Sequence, residues 1–405
     1  MTARIPPPSG IASCVVPTRV LMGPGPSDMH PRVVAALGKP AIGHLDPAFV
    51  AMMEEIKTLL RYAFQTRNEL TFAVSGPGSV GMETCFVNLV EPGDKIIVCR
   101  NGVFGGRMIE NVQRLGGSAL MVDDGWGEPV DPEKVADALK ANPDAKAVAF
   151  VHAETSTGAQ SDAAAIVGLA RNAGCLSIVD AVTSLGGTPV LTDQWGADAV
   201  YSGSQKCLSC VPGLAPVTFS ERAIARLKER KNKVPSWFMD LGLVLEYWNA
   251  PGGKRVYHHT APVNSLFALH ESLVMLRDEG IETAWGRHRL HHAALKAGLE
   301  VLGLRFLVRE DARLPQLNTV HVPVGIDEAG VRRQLLDRYN LEIGAGLGPL
   351  AGKVWRLGLM GYSARAENVE LCLGALAETL SGMGVEADKG AALAAARSIF
   401  TGVQA

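Results

Sequence analysis

From Leu70 to about Arg230 the sequence alternates short apolar segments with longer amphipathic ones, and this alternation restricts the possible folds more than any other feature. Strands that alternate with helices favour a mostly parallel sheet covered by helices on both faces. The expected fold class is therefore α/β, with a seven-stranded sheet in a large domain. The predicted strands are 70–74, 95–99, 118–122, 147–152, 176–180, 197–202 and 216–219, and the predicted helices between them include 81–90, 107–115, 132–140 and 163–173.

The pattern changes after a long bridging helix, predicted over 264–278. Beyond it the sequence predicts a smaller α+β domain, with strands 305–308, 318–322 and 354–359 and helices 281–302, 328–339 and 366–380. We therefore expect an N-terminal Pro-rich arm (1–20), a large domain (21–278) and a small C-terminal domain (279–405). The Ala-rich end is expected to form one peripheral helix or to fray.

Composition narrows the class of protein. A chain of 405 residues is long enough for two domains and a large core. The net charge of −2 gives no argument for nucleic acid or an anionic membrane as a partner. We see neither a signal peptide nor an apolar run of about 20 residues that would span a bilayer. The seven scattered cysteines indicate reduced thiols and a cytoplasmic protein.

Lys206 closes the segment Tyr201-Ser-Gly-Ser-Gln-Lys206, directly after a short apolar strand. Burial beside small residues lowers the pKa of a lysine, and the neutral amine can then form a Schiff base with a carbonyl group. Pyridoxal phosphate (PLP) is the commonest such partner, and it also needs an acid near its ring nitrogen and an anion site. Asp180 ends another predicted strand (206 − 180 = 26 residues earlier), so both side chains should reach one sheet edge. A solvated lysine and a turn aspartate are the alternative.

The segment Ser75-Gly-Pro-Gly78-Ser79 follows a predicted strand and opens a helix. Backbone N–H groups at a helix start bind anions, and the Ser79 hydroxyl adds a donor. Gly78 and Ser79 are therefore candidates for a phosphate site. The segment lacks the Gly-Lys-Ser/Thr of a Walker loop, and Pro77 weakens a dinucleotide-binding interpretation.

Three more residues are placed by predicted strands. Phe104 follows the strand 95–99 and can stack on a pyridine ring, with an ordinary core role as the alternative. Thr155 follows the strand ending near residue 152, where its hydroxyl can bond a ring substituent or cap a turn. Arg356 lies in an apolar strand, where a charge needs a partner, so it is either a clamp for a substrate carboxylate or part of a structural ion pair.

Two clusters have spacings that resemble functional motifs but favour structural roles. Cys207 and Cys210 are spaced like metal or redox cysteines, yet neither a second pair nor a His set accompanies them, so we expect structural thiols. His288, His291 and His292 share a predicted helix without the acidic residue of a metalloprotease motif, so we expect a solvated face.

Several segments between about residues 20 and 380 match the motifs of a known family. They are Leu21-Met-Gly-Pro-Gly-Pro-Ser27, Phe64-Gln-Thr-Arg-Asn68, Asn88-Leu-Val-Glu-Pro-Gly-Asp94, Ser184-Leu-Gly-Gly-Thr-Pro189, Tyr201-Ser-Gly-Ser-Gln-Lys206, Tyr257-His-His-Thr260 and Gly346-Leu-Gly-Pro349. In these segments the chain resembles the class V aminotransferases of PLP fold type I, and among them the alanine–glyoxylate and serine–pyruvate aminotransferases. The cofactor that this resemblance implies is PLP.

The resemblance assigns the ring contacts. Lys206 would hold PLP and move the proton during transfer, and Asp180 would face the pyridine nitrogen. Phe104 would stack on the ring, where tryptophan is frequent in the family, and Thr155 would bond the ring hydroxyl.

The same resemblance assigns the phosphate contacts. Gly78, Ser79 and Gln205 would hold the phosphate. Tyr257 and Thr260 from the neighbouring subunit would complete that site, which implies a homodimer with active sites shared across the interface.

For the substrates, Arg356 would bind a carboxylate, and the rigid turn around Gly25 would leave little room beyond the substrate Cβ. The implied reaction moves an amino group from a small amino acid, alanine or serine, to glyoxylate or pyruvate. The amino donor stays open at this point.

Two other functions are compatible with the same fold. A cysteine desulfurase needs a mobile cysteine, but Cys207 lies on a constrained turn and the loop 344–352 has no cysteine. The other alternative is a binding protein that retains PLP without turnover. The presence of Lys206, Asp180 and Arg356, which catalysis would require, argues against it.

Overall fold

The computed structural model describes residues 5–248 and 255–402. Its strands are β1 (Val20–Met22), β2 (Leu70–Ser75), β3 (Lys95–Arg100), β4 (Ser118–Asp123), β5 (Ala147–Val151), β6 (Ala153–Glu154), β7 (Ala159–Gln160), β8 (Leu176–Asp180), β9 (Ala199–Tyr201), β10 (Leu214–Phe219), β11 (Leu317–His321), β12 (Leu341–Ala345) and β13 (Val354–Gly358).

The α-helices cover both sheets. In chain order they are α1 (Pro31–Leu37), α2 (Pro47–Phe64), α3 (Gly78–Leu89), α4 (Val103–Arg114), α5 (Pro132–Ala141), α6 (Ala163–Asn172), α7 (Thr192–Trp195), α8 (Glu221–Lys228), α9 (Leu241–Trp248), α10 (Val263–Glu279), α11 (Ile281–Val301), α12 (Glu328–Tyr339), α13 (Ala366–Ser381) and α14 (Lys389–Thr401). None of the helices within the described ranges combines the length and the apolar composition needed to cross a membrane.

The large sheet has the strand order β2-β10-β9-β8-β5-β3-β4. β10 runs antiparallel to both β2 and β9, and the other neighbours pair in parallel. Its central strands are buried along nearly their whole length, as expected where helices cover both faces. The predicted mostly parallel, seven-stranded sheet is confirmed.

The second sheet has the order β1-β12-β13-β11. β1 pairs in parallel with β12, although it lies near the start of the chain, and the remaining pairs are antiparallel. This sheet has its own core, to which Met22 of β1 and Trp355 of β13 contribute fully buried side chains. The domain boundaries at residues 20 and 278 stay predictions, and β1 shows that the second sheet draws on both ends of the chain.

Two details of the second sheet differ from the predictions, whereas the Ala-rich end agrees with one of its two expected outcomes. Residues 305–308 form no strand, because only Phe306 bridges to Val320 there. β1 and β12 were not predicted, because β1 has only three residues and β12 contains Glu342 and Gly344, residue types that are depleted in strands. The Ala-rich end forms α14, whose first turn is capped by the Asp388 side chain, which accepts from the Ala391 N–H at 2.9 Å.

The predicted solvated face of three histidines on α11 is also wrong. His288 is fully buried, and its Nε2 accepts the Gly361 N–H at 2.9 Å. His291 is buried as well. Burial lowers the pKa of His288 to about 3, so the neutral ring acts as a structural hydrogen-bonding group between α11 and the loop after β13.

Candidate active site

Lys206 lies on the turn that follows β9, and only 9% of it is exposed. Its Nζ donates to the carbonyl oxygen of Pro24, in the turn that follows β1. Gly25 has a φ of +110°, and a Cβ on it would approach the Lys206 side chain to between 2.5 and 3.0 Å. Burial, and after it the positive charge of Arg356, lower the pKa of Lys206 to about 8. The amine is therefore easily deprotonated near neutral pH.

Asp180 ends β8, the strand that pairs with β9, and is 2% exposed. Its two carboxyl oxygens accept the Val182 N–H at 2.8 Å and the Tyr201 hydroxyl at 2.7 Å. Burial raises the pKa of Asp180 to about 7, although these two donors and the charge of Lys206 act in the opposite direction. Tyr201 was missed as a site residue because a tyrosine at a strand end ordinarily signals core packing.

The glycine-containing turn leads directly into α3, which begins at Gly78. Gly78 is buried, and a Cβ there would lie 3.3 Å from the Val182 side chain. Pro77 occupies the N-cap position without a side-chain cap, so the first N–H groups of the helix have no capping partner. Ser79 is exposed.

Gln205 precedes Lys206 and packs against Gly203, where a Cβ would come within 2.8 Å of the Gln205 Oε1. That oxygen is buried and makes no hydrogen bond within the described ranges. Gln205 therefore lies on the same turn as Lys206 with unused hydrogen-bonding capacity.

Thr155 follows β6, at the tip of the hairpin that β6 forms with β7; we call residues 153–160 the 153–160 hairpin. The Thr155 hydroxyl lies 2.5 Å from that of Thr183, in the loop after β8. The preceding residue, Glu154, is fully buried and was not singled out from the sequence. Sequence reasoning missed Glu154 because a glutamate beside a turn is ordinarily solvated.

Phe104 lies in the first turn of α4 and is half-buried. The Arg107 guanidinium lies over one face of its ring, at 4.8 Å from the centroid. The residues on either side of Phe104 contact the 153–160 hairpin. The Val103 N–H donates to the Ser156 hydroxyl oxygen at 3.0 Å, and the Gly105 N–H lies near the Glu154 carboxyl group.

Arg356 is central in β13 and is 6% exposed. Its Nε donates to the Ala345 carbonyl at 2.7 Å, and Nη1 donates to the Thr155 carbonyl at 2.9 Å. No carboxylate lies within ion-pairing distance of it in the described part of the chain, and Nη2 makes no hydrogen bond there. Burial lowers the pKa of Arg356 to about 10, which is still cationic at neutral pH.

Tyr257 and Thr260 make no hydrogen bond to the other candidate residues among the described parts of the chain. Both are exposed, Tyr257 to 60%, and the Tyr257 ring contacts His44 at 5.5 Å between centroids. The same segment is tied to the start of the glycine turn, because His259 Nε2 lies 2.7 Å from the Ser75 hydroxyl. That contact was not predicted.

These features fit pyridoxal phosphate. A buried lysine with a lowered pKa can bind the aldehyde, and a buried carboxyl group on the adjacent strand can face the ring nitrogen. The uncapped start of α3, where Gly78 carries no side chain, suits close approach of a phosphate.

The model of the family aminotransferase class V matches residues 27–370, so the chain belongs to the class V aminotransferases. The chain is a PLP-dependent transaminase with the fold of that class.

Individual relatives cover nearly the whole chain. It is 40% identical over 378 residues to the alanine–glyoxylate aminotransferase of Mus musculus, covering 93% of this chain and 91% of that protein. The (S)-ureidoglycine–glyoxylate transaminase of Bacillus subtilis is 37% identical, with 97% and 98% covered. The crystal structure of an alanine–glyoxylate aminotransferase from Nostoc sp. superposes with a TM-score of 0.89 at 46% identity, covering 92% of this chain and 97% of that one.

The similarity of this chain to cysteine desulfurases is only distant. A desulfurase from Thermococcus onnurineus reaches a TM-score of 0.69 at 16% identity, which shows a shared fold alone. Cys207 is also unsuited to be a nucleophile, because burial raises the pKa of its thiol to about 12.

The lowered pKa of Lys206 predicts a pH-dependent stability of the cofactor-free protein. The folded amine loses its proton near pH 8, whereas the ordinary value is 10.5. Between these values the unfolded chain binds more protons, so stability should rise with pH. Relative to Lys206→Met, the wild-type unfolding free energy should increase by about 3 kcal/mol from pH 8 to 10.5, measured by urea denaturation. Lys140→Met, at an exposed lysine, is the matched control. A difference between wild type and Lys206→Met that stays constant over this range contradicts the assignment.

Proposed function

We propose that the enzyme transfers the amino group of a small amino acid, alanine or serine, to glyoxylate or pyruvate. The observation that carries the proposal is Arg356, a buried guanidinium that lacks a carboxylate partner among the described residues and acts electrostatically on Lys206. A cation in that position suits the α-carboxylate that amino acids and 2-oxo acids share. The glyoxylate named in the relatives' descriptions supports a small acceptor.

In this proposal Lys206 and Asp180 have separate roles in the reaction. Bound PLP supplies an electron sink for negative charge at the substrate α-carbon. Lys206 would attach the cofactor and, once displaced by the amino donor, would move the proton from the substrate α-carbon to the cofactor carbon that carried the aldehyde, for which a pKa near neutral is suited. Asp180 in its ionised form holds a proton at the ring nitrogen, and the Tyr201 hydroxyl keeps the carboxyl oriented.

Binding residues surround this pair. Phe104 covers the ring, and the Thr155 hydroxyl bonds the ring hydroxyl. The first N–H groups of α3, at Gly78 and Ser79, and the Gln205 amide bind the phosphate.

Gly25 sets the size of the substrate pocket. Its φ of +110° disfavours any side chain, and a Cβ there would come within 2.5 to 3.0 Å of the Lys206 side chain. A substrate attached beside Lys206 therefore meets the rigid turn that contains Gly25, which favours small side chains. Arg356 holds the substrate carboxylate on the opposite sheet.

The attachment of the cofactor gives the first test. The purified protein should be yellow, and borohydride reduction should leave the cofactor covalently on Lys206, identified by peptide mass spectrometry. Lys206→Ala should yield no reduced covalent product, while its folding, followed by circular dichroism, is retained. Covalent product at wild-type yield in Lys206→Ala would remove Lys206 from its role.

Substrate selectivity gives a second test. Arg356→Ala should lower kcat/KM for alanine and for glyoxylate by a factor of roughly 10 to 100, because a hydrogen bond to a charged group contributes about 1.5–3 kcal/mol. PLP affinity should change little, since Arg356 lies on β13, in the other sheet from the phosphate turn. Glyoxylate and pyruvate should exceed 2-oxoglutarate in kcat/KM. A higher kcat/KM for 2-oxoglutarate than for glyoxylate and pyruvate would contradict the proposed class of acceptor.

We also propose a homodimer in which Tyr257 and Thr260 complete the phosphate site of the neighbouring subunit. Their exposure in the single chain, and the exposed Trp237 ring stacked on the adjacent His258 at 4.5 Å, support a contact surface there. A cytoplasmic location is proposed as well, on the seven free cysteines, and cell fractionation tests it.

Shared sites predict complementation between two inactive variants. Co-expressed Lys206→Ala and Tyr257→Ala/Thr260→Ala chains, purified as a doubly tagged hybrid, should regain activity, because one of the two sites would then combine an intact Lys206 with intact Tyr257 and Thr260. Each variant alone should be impaired. A hybrid no more active than the separate variants means that Tyr257 and Thr260 act within their own subunit.

A further inference from the structure

The tip of the 153–160 hairpin is polar and yet buried. Glu154, Thr155, Ser156 and Thr157 are each at most 4% exposed. Burial of so many polar groups is costly unless they are hydrogen-bonded. Their bonds therefore indicate what this hairpin holds in place.

On one side the hairpin binds the start of α4. The Glu154 Oε1 accepts the Ser156 N–H at 3.0 Å and the Ser156 hydroxyl at 2.5 Å. The Ser156 Oγ in turn accepts the Val103 N–H at 3.0 Å. α4 has no cap of its own, because its N-cap residue is Gly102, where a Cβ would collide with the Glu154 and Ser156 side chains. Glu154 and Ser156 thus replace the missing cap.

On the other side the hairpin binds the second sheet. The Thr155 carbonyl accepts Nη1 of Arg356 at 2.9 Å, and the Gly158 carbonyl accepts the Leu314 N–H at 3.0 Å. Gly158 has a φ of +85°, and a Cβ there would lie 3.0 Å from the Leu317 carbonyl and the Thr319 hydroxyl. The hairpin therefore fits tightly against the sheet that carries Arg356.

We infer that Glu154 is a positioning residue of the transaminase: through Ser156 its carboxyl group fixes the first turn of α4, and with it the Phe104 ring, relative to Arg356. The inference rests on the proposed function, in which Phe104 covers the cofactor and Arg356 holds the substrate. Burial raises the pKa of the Glu154 carboxyl group, while the hydrogen bonds from Ser156 and the nearby N–H groups of Phe104 and Gly105 act in the opposite direction. The buried Glu154 side chain thereby sets the distance between the Phe104 ring, which covers the cofactor, and the Arg356 guanidinium, which binds the substrate carboxylate.

The test compares Glu154→Ala and Glu154→Gln in the intact holoenzyme with a matched buried carboxylate. Asp198 is 2% exposed and bonds the Ser177 N–H at 3.0 Å and the Ser220 hydroxyl at 2.8 Å, near the start of β9. The readouts are the dissociation constant of PLP, the circular dichroism of the bound cofactor, KM and kcat for alanine, and Tm.

Glu154→Ala should raise the PLP dissociation constant about tenfold, as expected for loss of a hydrogen bond to a charged group, and should reduce the cofactor dichroism per bound molecule. Glu154→Gln should restore both, because its amide oxygen can still accept from Ser156. Asp198→Ala should lower Tm and leave both cofactor readouts unchanged.

The inference is overturned if Glu154→Ala, or Ser156→Ala should the former not fold, leaves the PLP dissociation constant and cofactor dichroism at wild-type values. It is equally overturned if Asp198→Ala alters them to the same extent. Failure of the proposed function has a different signature, since wild type would then bind PLP normally but would not transfer the amino group of alanine or serine to glyoxylate or pyruvate.

Discussion

Asp180, Lys206 and Arg356 are buried at one site, none of them forms a salt bridge among the described residues, and the rest of the site depends on this arrangement. Their pKa values move in the directions that burial imposes, up for the acid and down for the two bases. Buried charges without partners are costly to a protein by itself. In the proposed function this cost would be offset by ligands of complementary charge, the ring nitrogen of PLP facing Asp180 and a substrate carboxylate facing Arg356.

The positions of Lys206 and Asp180 were predictable because they depend on local order along parallel strands. A strand that ends in a polar residue delivers that residue to the carboxyl edge, and β8 and β9 are neighbours in the sheet. Gly78 was predictable for a related reason, since a glycine-containing turn between a strand and a helix places N–H groups at one point. The seven-stranded sheet follows from the same alternation.

Other parts depend on contacts between residues far apart in the chain. β1 is recognisable only through its pairing with β12, more than 300 residues later, so the sequence places this three-residue apolar segment at the boundary between the arm and the rigid turn and predicts no strand there. Tyr201 and Glu154 gain their roles from hydrogen bonds across strands and loops. His288 is buried by the loop after β13, and helical periodicity alone could not identify that partner.

The 153–160 hairpin explains how two sheets can act as one site. In the proposed site the large sheet would supply the cofactor-binding residues, and β13 of the second sheet carries Arg356, so the distance between them depends on the contacts between the two sheets. Thr155 faces both, since its hydroxyl meets Thr183 and its carbonyl meets Arg356. A displacement of this hairpin would move the Arg356 guanidinium relative to the Phe104 ring. Because misplacement of about 1 Å can cost two orders of magnitude in rate, a tightly bonded, buried hairpin is what small substrates with few contacts require.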